Sequence, residues 1–141
     1  MLLESHTRLV QASYRKIAGN IFELSGIFYR KLFEKDPRLR FLFPEDLGSV
    51  QDHLLQMIAT AVRQIDRFEE VRHHLENLGA RHAVYGVVPK DYETFMAAVM
   101  DTLSDQLDPQ SDQELLKAWE AFFTLVSETM QEGGRNAPAR C

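Results

Sequence analysis

The chain has 141 residues, 45% hydrophobic and 26% charged, which suits one domain whose core hides about two thirds of the surface exposed when unfolded. Its 16 Lys plus Arg against 21 Asp plus Glu give a net charge of −5 without a basic stripe, which argues against a nucleic-acid partner. The single cysteine, Cys141, rules out an intrachain disulfide framework; no apolar run approaches the roughly 20 residues of a membrane span, and Met1 to Val10 lacks a signal-peptide core, so a cytoplasmic protein is expected.

Apolar residues recur at three and four along most of the chain, the period of amphipathic helices, and no alternating strand pattern stands out. A second helix is expected from about 20 to 35, with Phe22, Ser25, Gly26, Tyr29, Leu32 and Phe33 on one face and Gly26 permitting close packing. Asp36-Pro37 ends it, and Pro37 opens a short turn through Phe43, where Phe41, Leu42 and Phe43 need a core. Residues 44–49 read as a loop, and Ser49 as the cap of a helix that carries Val50, Leu54, Met57, Ile58, Ala61 and Ile65 inward.

From about 69 to 85, Val71, Leu75, Leu78, His82 and Tyr85 are spaced 4, 3, 4, 3 and share one helical face. Gly86 is a natural stop and Pro89 a natural first-turn residue for a helix with the stripe Tyr92, Phe95, Met96, Val99 and Leu103. Asp108-Pro109 closes it, and Ser111 with Glu114 forms a capping box for a last helix bearing Leu115, Trp119, Phe122, Phe123, Val126 and Met130. One domain over 1–132 and a disordered tail over 133–141 are expected.

Five histidines occur, at 6, 53, 73, 74 and 82, and only His82 is centred on an apolar stripe. By itself such a histidine is more often a core residue bonded to backbone than a ligand. The chain has no HExxH or Cys/His pairing for zinc, no nucleophile elbow around its serines and no glycine-rich phosphate loop. Arg63 and Arg81 read as solvated surface residues.

Two segments change the balance: FYRKLFEKDPRLRFLF at 28–43 and LGARHAVYGVVPKDY at 78–92. Together they resemble bacterial single-domain globins, of the Vitreoscilla-type haemoglobin and flavohaemoglobin haem-domain kind, over about residues 5–131. The resemblance implies an all-α globin fold of about seven helices around a pocket for haem b (iron protoporphyrin IX). It makes His82 the proximal ligand and the metal-binding residue, sets Phe43 against the porphyrin, matches Pro37 and Trp119, and places Tyr29 on the distal side as a donor to a gas ligand. Val50 then stands where Gln or His is usual, with Leu54 next inward; a one-residue shift would put Gln51 there, and His53 is an alternative distal group. Leu78 and Val87 are implied pocket walls, and Tyr92 a group that helps orient His82. Gly134 stands where Tyr92's glutamate partner would be, with Glu128 and Glu132 out of step, so a strong proximal dyad is not expected.

The implied function is reversible binding of oxygen, nitric oxide or carbon monoxide, for storage, delivery or nitric oxide detoxification with a separate reductase, by a monomer or homodimer. A gas or redox sensor with His53 as internal ligand is the alternative.

Overall fold

The computed structural model describes residues 2–107 and 112–136, which form six α-helices and three short 3-10 turns, with no strand among the described residues. The helices are α1 (Glu4–Ile17), α2 (Ile21–Lys35), α3 (Gly48–Arg63), α4 (Glu69–Val84), α5 (Pro89–Gln106) and α6 (Gln113–Arg135). The 3-10 turns span Ala18–Asn20, Pro37–Leu42 and Ile65–Arg67, so the all-α arrangement is as expected.

Local chemistry explains most boundaries. Asp36 caps the turn beginning at Pro37 by accepting the Arg38 backbone N–H at 3.1 Å, and the Arg38 guanidinium beside it holds its carboxyl below the usual range. At the start of α3 the expected cap, Ser49, already lies inside the helix; Asp46 Oδ1 accepts the Gly48 N–H at 2.9 Å instead. Gly86, at φ 101°, turns the chain after α4, since only glycine adopts that angle without strain. Pro89 opens α5, and the Asp91 carboxylate accepts the Val88 N–H at 3.0 Å. The expected stop at Asp108-Pro109, the Ser111 cap and Cys141 lie outside the described residues.

The core is built on aromatic side chains. Trp119, Phe122 and Phe123 of α6 pack with ring centroids 5.1 to 5.8 Å apart, and Phe95 links Phe123 to Phe28. The Trp119 indole N–H donates to Ser13 Oγ at 2.9 Å, and the Ser13 hydroxyl donates to the Leu9 carbonyl at 2.7 Å, which satisfies a buried donor where α1 crosses α6. Lys31–Asp105 and Lys35–Asp101 ion pairs, at 2.8 and 2.7 Å, align α2 with α5.

The tightest packing joins α4 to α6. A Cβ on Gly79 would overlap the backbone of Met130, and one on Gly133 would overlap the backbone of Glu76. This contact explains why α6 does not end at 132, where the apolar periodicity fades: Gly133 and Gly134 continue the helix to Arg135 because their missing side chains let it lie on α4. Gly26, the glycine expected to make a close approach, has nothing within 4 Å of its Cβ position.

Three aromatic residues read as inward-facing are exposed. Phe22 lies one turn before the buried arc of α2, which begins at Ser25. Tyr85 falls on the cap after α4, where its stripe runs out, and Phe41, 89% exposed, stands at the outer end of the 37–42 turn.

Gly79→Ala and Gly133→Ala should each lower stability by roughly 1–3 kcal/mol or more, because the obstacle is backbone and cannot rotate away. Gly26→Ala, with open space and helical geometry, should raise it by about 0.5–1 kcal/mol. Urea unfolding midpoints check both, and equal effects at the three positions would refute this account of the seam.

Candidate functional site around His82 and Tyr29

α4 lies along α6 and α3 lies on α1 and α2, but α3 and α4, consecutive in the chain, do not pack closely on one another. Val50 and Leu54 of α3, Leu78 of α4, Phe43 and Tyr92 are packed on the core yet only half-buried, so each keeps part of its surface open.

His82, in the last turn of α4, is half-buried, and its Nδ1 lies 2.8 Å from the Leu78 carbonyl oxygen. A carbonyl can only accept, so Nδ1 carries the proton. Burial pushes the imidazole pKa below its ordinary value; the Leu78 bond opposes this and the Arg81 charge adds to it. A neutral ring with its proton on Nδ1 leaves Nε2 as a bare lone pair, the state needed in a metal ligand. Leu78, expected as a side-chain wall, thus also orients the imidazole through its backbone.

Tyr29 is 7% exposed, and its ring lies 5.0 Å from Phe28, 6.1 Å from Phe33 and 5.8 Å from Phe43. Burial pushes its hydroxyl pKa up to about 12, and the hydroxyl has no hydrogen-bond partner among the described residues. It is a neutral donor held in an apolar aromatic cluster, able to gain from any acceptor that enters.

Arg40 holds this cluster in place and carries no sequence signature. Its guanidinium donates to the carbonyls of Phe43, Pro44 and Glu45 at 3.4, 2.8 and 2.8 Å and lies 5.7 Å above the Phe33 ring, itself 5.3 Å from Phe43. Backbone acceptors are invisible to residue patterns, which is why only the fold reveals the clamp.

Along α3, the Gln51 amide donates to Ser25 Oγ at 2.5 Å and to the Phe22 carbonyl at 3.2 Å, so its donors are taken by α2. Val50, beside it, is half-buried, and His53, one turn on, is exposed with no ring-nitrogen partner among the described residues.

Tyr92, at the start of α5, is half-buried with its pKa raised by burial, and Val87 lies half-buried in the turn after α4. Leu42, Val84, Tyr85 and Val88 are large apolar residues left exposed, and Leu42 reaches within 3.8 Å of the Cβ position of Gly86. The end of the 37–42 turn and the turn after α4 therefore meet in an apolar rim that gains by being covered.

Among the described residues no three His, Cys, Asp or Glu side chains gather as a metal site. One neutral imidazole without protein co-ligands, beside apolar walls and a lone hydroxyl donor, suits a metal already held in a flat apolar macrocycle. The residues present fit haem in this respect. Trp119, by contrast, is spent on the α1–α6 crossing.

Comparison with known proteins agrees with this geometry. The family model described as Globin matches residues 27–130. A globin-like protein of Aquifex aeolicus is 25% identical over 92% of this chain and 92% of its own. The flavohemoprotein of Oceanobacillus iheyensis is 19% identical over 91% of this chain, which spans 32% of that protein. A solved bacterial globin from Campylobacter jejuni superposes with a TM-score of 0.83 at 20% identity, covering 94% of this chain and 96% of the other, and so shares the fold.

The Tyr29 proton leaves the unfolded chain near pH 10 but the folded chain near pH 12, so the stability it confers should fall as pH rises above 10. In an absorbance titration, Tyr29→Phe should remove the component that ionises near pH 12; persistence of that component would show that another hydroxyl is the buried one.

Proposed function

The chain belongs to the globin family, and from that premise we propose that it holds haem b through His82 and reversibly binds a diatomic gas on the side of Tyr29. Family membership supports haem-based gas binding, and the observation that carries the residue assignment is the His82 tautomer, with Nδ1–H fixed on Leu78 and Nε2 free. When bound, haem supplies an iron able to take a diatomic ligand.

His82 would hold the iron through Nε2, and the Leu78 carbonyl holds its ring at one rotation and makes Nε2 more basic. Phe43, held by Arg40, and the half-buried Leu78 and Val87 provide apolar walls that exclude water. Tyr29 would donate a hydrogen bond to a gas held there, while Val50 brings no donor and the Gln51 amide is bonded to α2, so retention would rest on one hydroxyl. A cavity of about 70 Å³ behind Leu54, lined mostly by apolar residues with Phe28 among them, would accept an uncharged gas far more readily than an ion.

Oxygen storage or delivery follows if the gas is released unchanged. Nitric oxide detoxification needs repeated reduction of the iron; the flavohemoprotein relative is about three times this length, and here a separate reductase would serve. We place this one globin domain in the cytoplasm; among the described residues no helix is long and apolar enough to cross a membrane.

The purified protein should show a Soret band that His82→Ala removes or strongly weakens. Tyr29→Phe should speed oxygen release about 2- to 10-fold, the equivalent of one hydrogen bond of ~0.5–1.5 kcal/mol. A broad ferrous visible band without added ligand supports gas binding at an open position. Sharp split bands that disappear in His53→Ala would instead favour the sensor reading, and no Soret band after haem addition would overturn the proposal.

A further inference from the structure

A second cavity, of about 170 Å³, lies where the ends of α4 and α6 meet the start of α5. Its floor is made of small residues: Gly79 and Ala83 of α4 and Gly134 of α6, where a Cβ would come within 3.4 Å of the Ala83 Cβ and the Gly79 carbonyl. The seam demands glycine at 79 for backbone contact with Met130, whereas at 134 a Cβ would only touch its neighbours rather than overlap backbone. The volume is several times the ~30 Å³ share of one water in the liquid.

Three polar residues also line it. The hydroxyl of half-buried Tyr92 has no hydrogen-bond partner among the described residues. Arg135, in the last turn of α6, has no ion pair among them. The Gln131 amide N–H donates to Ser127 Oγ at 3.1 Å, which leaves its carbonyl oxygen as an acceptor.

A purely apolar guest would leave the tyrosine hydroxyl unpaired, and a cation would meet Arg135. A multiply charged anion is too costly beside the apolar floor and beside two helix C-termini, whose carbonyl ends disfavour negative charge. One carboxylate on a short apolar body meets all these conditions: Arg135 offsets its charge, Tyr92 donates to it, and the body lies on Gly79 and Ala83. We propose that this cavity binds a small organic monocarboxylate. A hydroxyl on the guest would be accepted by Gln131. Because Ala83 directly follows His82, the site lies one residue along α4 from the proposed iron ligand and on the same turn of helix.

The test is calorimetric titration of the purified protein with sodium acetate, with sodium chloride at matched ionic strength as control. Saturable one-to-one binding in the millimolar range is expected, since a four-atom ligand has little surface from which to gain affinity. Arg135→Gln should weaken it about 3- to 10-fold with an unchanged thermal midpoint, Tyr92→Phe should weaken it by a similar factor, and Gly134→Leu should abolish it by filling the floor. No saturable acetate binding, an equal response to chloride, or wild-type affinity in both Tyr92→Phe and Arg135→Gln would overturn the proposal. The titration is run on the ferrous protein saturated with carbon monoxide, in which a haem iron would have no position open to acetate, so this outcome stands apart from the Soret measurement that decides haem binding.

Discussion

The backbone-to-backbone seam between α4 and α6 governs the rest of the molecule. α4 bears His82, and it packs closely on α6 without matching support from α3. Gly79 and Gly133 therefore set the height and rotation at which the imidazole is presented. Burial of apolar surface holds the two helices together, but only the missing Cβ atoms determine how near they come. The same closeness carries α6 past the point where its hydrophobic pattern ends, which leaves Gly134 and Arg135 beside the last turn of α4.

On that frame, two polar groups, one half-buried and one buried, are tuned in complementary ways by the same loss of solvation. Desolvation lowers the pKa of His82 and raises that of Tyr29, so both are kept neutral, one with a bare lone pair and the other with an unshared proton. One neutral acceptor and one neutral donor, each lacking a partner at its functional atom, are costly in a finished core and useful in a binding site. In the proposed haem site both costs are relieved when the cofactor and its gas are bound, which ties ligand binding to stability.

The short connections do a different job from the helices. Asp36, Asp46 and Asp91 each accept a backbone N–H at the start of a helical segment, and Arg40 gathers the carbonyls of Phe43, Pro44 and Glu45. Asp46, Asp91 and Arg40 spend their hydrogen bonds on main chain, and Asp36 divides its own between main chain and the Arg38 guanidinium. That is why the 37–47 segment holds Phe43 against Tyr29 although Phe41, two residues earlier, points into solvent.

Periodicity and turn chemistry determined the helical class and the breaks at Pro37, Gly86 and Pro89, because these depend on neighbours a few residues away. They also put His82 on an apolar stripe, and the segments around it suggested the family. What the residues could not specify is any relation whose partner is distant in sequence or is backbone. Gly26 looked like the packing glycine and stands in open space, whereas Gly79 and Gly133, unremarked in the pattern, carry the seam. The residues put Val50 at the distal position, with Gln51 one residue away and His53 as an alternative; that the Gln51 amide bonds Ser25 on another helix is visible only in the fold. Phe22, Phe41 and Tyr85 carried the hydrophobicity of core residues, but a side chain is buried only where another element reaches it. The sequence by itself determined which residues form helices and that one histidine lies among apolar neighbours; only the tertiary structure decided how its helix is seated, because the approach to α6 is set by backbone atoms far along the chain that meet Gly79 and Gly133.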